Sequence, residues 1–358
     1  MRLSATVGPE QSPQTALLAE LERLQHTAPA AWLQESPVAM ALADCTGALG
    51  PEHWSRACEL YRQAIRTHRS GDPLPIRAIE QLANLEVRLG GVNDDPKLIE
   101  AGLRRLRSLT DLMLSRPIAA AETPAEPEAA GEQACPAEWW ALIGSGEKRR
   151  AALRARAVIQ KFQPEDHAAM VEAIKASIEA YARVQAEPHH LLNTLTLQAI
   201  LAMPKPAEPA VIRMITTLHD DLRRGFEREG TFWAGMLQAD ALLALHLSSG
   251  ALAPGPDEAG KRVAAEVMEA YRAIFRSCHA NPLEQDSALD NLRLLAQLLR
   301  ALACSGRDPE PHGSMAAERL EWIQRSLRES LRSPAAPEAQ SEAAVAVVAE
   351  DGVRLVGE

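Results

Sequence analysis

Two glycines and a lysine within five residues, Gly144-Ser145-Gly146-Glu147-Lys148, are the first residues in this chain to suggest chemistry. A glycine-rich loop ahead of a lysine can cradle phosphate, provided the spacing is G-x-x-x-x-G-K-[ST] between a strand and a helix. Here the spacing is too short, and no Ser or Thr follows the lysine to hold magnesium. The residues upstream, PAEWWALI, follow a proline and read as the first turns of a helix. Each glycine inside a helix costs about 1 kcal/mol relative to alanine. Their presence therefore predicts close packing of a neighbouring backbone, not a phosphate loop.

The cations that follow are the second candidate. Lys148, Arg149, Arg150, Arg154, Arg156 and Lys161 are opposed only by Glu147. On a helix, Arg150, Arg154 and Lys161 share a stripe that could contact phosphates or an acidic peptide. No aromatic residues interleave with them to stack bases. A solvated helix face is thus the preferred reading, which argues against a nucleic-acid partner. An RNA- or nucleotide-associated protein using the stripe at 148–161 is the alternative.

The other reactive residue types lack the company that chemistry needs. His189-His190 and Cys278-His279 are adjacent pairs, which point to different helix faces and chelate poorly. His219 beside Asp220 and Asp221 comes nearest to a ligand cluster. Five cysteines (Cys45, Cys58, Cys135, Cys278, Cys304) are scattered without a C-x-x-C pair, as befits reduced thiols and neither a disulfide frame nor a zinc ribbon. No G-x-S-x-G elbow and no strand to present one is evident. No catalytic residue, metal or cofactor is expected. Trp54, Trp139, Trp140, Trp233 and Trp322 are expected to be core by default. For Trp139 and Trp140 a place in a peptide-binding groove is the functional alternative.

The elements that would position these residues are helical. Of the 358 residues, 46 % are hydrophobic but only 4 % aromatic, and alanine and leucine, the strong helix formers, dominate. Apolar residues recur at helical spacing: Leu82, Leu85, Leu89; Ile174, Ile178, Tyr181; Val211, Ile215, Leu218, Leu222; Leu292, Leu295, Leu299, Leu302. Turn residues break the pattern at 70–73, 90–96, 187–188, 204–209, 250–256 and 306–311. About a dozen helices with short connections follow. No run approaches the ~18 apolar residues of a membrane span, and the N-terminus lacks the apolar core of a signal peptide. A cytoplasmic protein is expected.

The net charge of -10 sits mostly in two segments. Five glutamates and no basic residue lie between Pro117 and Glu138, and five acids with one arginine lie from Pro334 to Glu358. Both are rich in Pro, Ala and Glu, and read as a linker (116–136) and a tail (334–358). The helical body divides accordingly into an N-terminal bundle (1–115) and a longer C-terminal array (137–333).

All three tyrosines lie in one local context: ELYRQAI at Glu59, EAYARV at Glu179 and EAYRAI at Glu269. Small residues (Ala83, Gly144, Ala199, Ala239) fall in the middle of the other helices, where the two arms of a hairpin approach. A copied helix hairpin is the natural explanation. HWSRACELYRQAIRT resembles the trailing helix of a tetratricopeptide repeat, and RAIEQLANLEVRLGG the leading helix of the next. Spacing departs from the regular ~34 residues of that family; Tyr181 and Tyr271 lie 90 residues apart. The order of AIEQLANLE, WWALIGSGEKR, LLNTLTL and TFWAGMLQADALL is similar to the helical-repeat region of bacterial proteins that carry a caspase-like CHAT peptidase domain. These resemblances imply an all-α superhelix, a solenoid of helix hairpins. They also imply a non-enzymatic scaffold that binds a protein or peptide partner on its concave face.

Overall fold

A computed structural model of the chain describes residues 35–69, 75–115, 136–184, 186–253, 258–278, 280, 282–305 and 312–332, besides 19, 20 and 23. Most of the linker at 116–136, the tail at 334–358, Cys135 and His279 lie outside the described residues.

Proline punctuation sets many of the helix starts. Pro37, Pro96, Pro164, Pro188 and Pro209 stand in the first two positions of their helices, where a missing N–H costs no bond and φ is already helical. Asp95 caps another start by accepting from the N–H groups of Lys97 and Leu98. The α-helices with bounds among the described residues are α1 (Ser36–Ala48), α2 (Trp54–Arg66), α3 (Ile76–Val92), α4 (Pro96–Leu114), α5 (Ala137–Gln160), α6 (Pro164–Ala182), α7 (Pro188–Ala202), α8 (Pro209–Glu229), α9 (Phe232–Ser248), α10 (Glu258–Ser277), α11 (Pro282–Ala303) and α12 (His312–Arg332). No strand occurs among the described residues. The fold is all-α.

One break is misplaced by the sequence. Gly90 and Gly91 do not end α3, which continues to Val92, because both are buried in packing contacts with α4 and α5.

The helices fall into three sets of four, α1–α4, α5–α8 and α9–α12. Within each set the first helix packs on the second. The first helix of a following set then lies on the third and fourth of the one before: α5 on α3 and α4, α9 on α7 and α8. Equivalent side chains mark the sets. Ala43-Asp44, Gly144-Ser145 and Ala239-Asp240 sit on the first helices, with the polar members 101 and 95 residues apart. The three tyrosines, all buried, sit on the second helices. Tyr61 donates to Asp44 and Tyr271 donates to Asp240 at 2.5 Å, while Ser145 of α5, at the equivalent position, accepts from Arg149.

Two further features set the shape of the interior. Ile143 and Ala180 share a core cluster with Leu103 and Leu106, so the N-terminal bundle and the later helices pack against one another directly. Secondly, α11 returns to pack on α5, joining residues 143 positions apart in sequence. In a strictly linear stack each repeat touches only its neighbours. The return of α11 makes α5 a central helix, covered by α3, α4, α6 and α11.

Candidate functional site

α5 carries its two glycines without leaving helical geometry; neither Gly144 nor Gly146 has positive φ. A Cβ on Gly144 would stand 2.7 Å from the Tyr181 ring, and one on Gly146 would stand 2.6 Å from Leu103. The glycines are there because α6 and α4 come that close, as the sequence argued. The phosphate reading has no loop to rest on.

One turn beyond Gly144, on the same face, Lys148 points into the interior. It is 5 % exposed. Its ammonium donates to Asn193 Oδ1 of α7 at 2.9 Å and to Asn291 Oδ1 of α11 at 2.8 Å. The Tyr181 ring lies 5.9 Å away, at the outer limit of a cation–π contact. Burial lowers the Lys148 pKa to about 8; Arg149 adds to the effect, while Asp240 and Asp290 oppose it. Across the centre, Asp240 of α9 accepts from Tyr271 of α10. Burial raises its pKa against the opposing effects of Tyr271 and Lys148. His189, at the start of α7, is driven down to about 4 by burial and then by Lys148 and His190. Its backbone carbonyl accepts from the Asn193 amide at 2.9 Å. Helices α5, α6, α7, α9, α10 and α11 thus all contribute to one polar centre.

A shell of ion pairs closes that centre towards α3. Arg149 donates to Asp290 of α11 at 2.5 Å and to Ser145 at 2.7 Å, and Arg293 reaches the other Asp290 oxygen at 2.5 Å. Burial alone would raise the Asp290 pKa, but Arg149 and Arg293 outweigh it and the net shift is downward. Arg88 of α3 donates to Ser287 at 3.0 Å, and Arg156 pairs with Asp94 and donates to Gly91 O at 3.0 Å.

These contacts correct the reading of the basic run as a solvated face. Lys148 and Arg149 are inside, and the others divide. Arg150 pairs with buried Glu147 at 2.6 Å and with Glu100 at 3.2 Å, while Arg107 holds Glu147 from α4. Arg154 pairs with Asp166 at 3.1 Å and stays half exposed. Lys161 stands exposed just past the end of α5. The stripe of Arg150, Arg154 and Lys161 is therefore on the outside, but its arginines already hold carboxylates. Trp139 is buried and donates from Nε1 to Glu80 at 2.9 Å, which makes it core and not groove. Trp140 is half buried under the Arg183 guanidinium, 5.3 Å from the ring centre. Trp322 lies in the middle of α12, exposed, and not in the core.

Sequence reasoning passed over Lys148 as one cation among six. The signal that sets it apart is its spacing: Gly144, Lys148, Ala151, Ala152 and Ala155 form one small-residue face, whereas Arg150 and Arg154 lie off it. Asp240 and Tyr271 could have been singled out as a second copy of the Asp44–Tyr61 pair.

The chemistry open to this centre is limited by space. Beside Asp240 and the two asparagines that hold Lys148 lies a cavity of about 10 Å³, lined by Asn193, Thr196, Asp240 and Asn291 with Leu192, Leu243 and Leu295. An amine with a pKa near 8 is a competent nucleophile, but this one is buried and bonded to two asparagines. Among the described residues no group of three or more His, Cys, Asp or Glu could hold a metal ion. Cys58 is buried, and its thiol is pushed up to about 11 by burial, so it is chemically inert at neutral pH. No helix among the described residues is long and apolar enough to cross a membrane. Compared with known proteins, the chain matches no family model, no curated protein and no solved structure.

Proposed function

We propose that this chain is a non-enzymatic scaffold, a solenoid of helix hairpins drawn inward by α11, that binds a partner protein through its helical surface. One observation carries the reading: a buried tyrosine recurs on the second helix of all three sets, and in two of them it donates to an aspartate of the first helix. Recurrence of that kind is what duplication of a helical unit leaves behind, and stacked helical units serve mainly as extended binding surfaces. The central polar groups support the same reading, since they bond one another across helices instead of converging on a cleft.

The partner surface is then formed by exposed large apolar residues, of which Trp233 at 58 % exposure is the foremost, with Trp322 and Met214. The resemblance in the sequence makes a caspase-like peptidase the first partner to try, working in the cytoplasm. A photo-reactive residue placed at Trp233 or Trp322, in the cells that make the protein, tests this. The expected result is one dominant adduct to a single protein, lacking when the probe replaces exposed Arg56 on α2. Adducts no stronger than at Arg56 would sink the scaffold reading. An adduct to a protein other than a peptidase would keep the scaffold and remove the peptidase.

A further inference from the structure

A buried ammonium and a buried carboxylate in one interior gain most by direct contact. Lys148 and Asp240 do not touch. The ammonium donates to the two asparagines, and Asp240 Oδ1 accepts from Tyr271. Each still feels the other's charge, because Asp240 holds the Lys148 pKa up and Lys148 holds the Asp240 pKa down. The cavity described above is lined by Asp240 and by both asparagines that hold the ammonium.

Its size and lining identify what fits. A water needs roughly 10–15 Å³ of such room and two to four polar partners, whereas an apolar void of similar size stays dry. This cavity has about 10 Å³ and four polar walls, Asn193, Thr196, Asp240 and Asn291. We propose that a single water molecule occupies this cavity and bridges Asp240 to the asparagines that hold Lys148, so that the two charges are linked through one water and an asparagine amide. The water donates one proton to Asp240 and one to an asparagine carbonyl. Its lone pairs accept from the Thr196 hydroxyl and an amide N–H of Asn291; of the two N–H groups of Asn193, one is given to His189 O. Each of the four polar lining residues then bonds the water or a partner already in place. A ligand with one fewer donor, or with any added heavy atom, does not meet the same walls.

A crystal structure of the full chain at a resolution that reveals ordered water tests this directly. The expected map has one peak within about 3 Å of Asp240 and of at least one of Asn193, Thr196 and Asn291. A dry cavity, or Lys148 Nζ in direct contact with Asp240, overturns the proposal. In solution, oxygen-17 relaxation counts long-lived internal waters. The variant Leu243→Phe, which places ring atoms in the cavity, is expected to lose one such water relative to the unaltered chain. A folded variant with an unchanged count overturns the proposal. If that variant does not fold, the map of the unaltered chain decides alone.

Discussion

At the scale of single residues, the polar centre is governed by what burial does to charge. The unfolded chain holds Lys148 near 10.5 and the folded chain near 8, so between those values the unfolded state binds more protons. Stability contributed by this group therefore rises as pH climbs from 8 to 10.5, and its burial as a cation costs stability at neutral pH. At about 1.4 kcal/mol per pH unit the full effect is about 3 kcal/mol. The groups facing it are Arg149, His189, Tyr181, Asp240, Tyr271 and Asp290. Urea unfolding of the unaltered chain and Lys148→Met from pH 7 to 10 isolates the effect: the difference in stability should move in favour of the unaltered chain as pH rises. His189 runs in the same direction in acid, because its pKa falls from 6.5 to about 4, and protonation through that window should destabilise the fold. A second comparison concerns the tyrosines. Tyr271→Phe removes the tyrosine hydroxyl that donates to the partly buried Asp240 carboxylate and should cost about 1–3 kcal/mol. Tyr61→Phe should cost less, since Asp44 is part exposed and also held by Arg77 at 3.2 Å.

At the scale of elements, two glycines test packing against propensity with opposite signs. Gly225 lies inside α8 with nothing within 4 Å of its added Cβ, so Gly225→Ala should stabilise by about 0.5–1 kcal/mol through helix propensity alone. Gly144→Ala gains the same propensity but drives a methyl into the Tyr181 ring, and overpacking of about 1–3 kcal/mol should make the net effect destabilising. Thermal melts of the two variants side by side give the signs. Helices were the most legible part of this protein. Leu82, Leu85, Ile174, Tyr181, Leu292, Leu295 and Leu299 are all buried, as their spacing demands, because a 3.6-residue period directly encodes which face leaves water. Small mid-helix residues were legible for the same reason: Ala83, Gly144, Ala199 and Ala239 all lie buried where helices approach. The centre was not. Lys148 and Asn291 are 143 residues apart, and nothing local to either specifies which distant helix will face it. Local spacing could set Lys148 apart from its neighbours, but only the tertiary arrangement supplies its partners.

At the scale of the whole molecule, α11 decides whether the three sets remain a chain of neighbours or close on α5. Its hold is partly ionic: Arg149 and Asp290 are only 11 % and 15 % exposed and 2.5 Å apart. Removing one member of an isolated, fully buried pair costs about 3–5 kcal/mol; the loss of Arg149 costs less, because Asp290 keeps Arg293. Arg149→Met should therefore weaken the α5–α11 contact more than the α1–α2 hairpin. Hydrogen exchange should accelerate in 282–303 and 137–160 while 36–66 stays protected. Uniform acceleration across all helices would contradict the central role given to α5. The return of α11 also has a consequence for synthesis. A ribosome delivers the lysine of α5 long before it delivers Asn291 and Asp290. Until then the ammonium has only part of its cage, and the cheapest state for the nascent chain keeps that side chain wet. The middle of the protein is thus a lock whose last tumbler arrives with the eleventh helix, and a polypeptide released before residue 291 should be left with a hydrated, loosened heart.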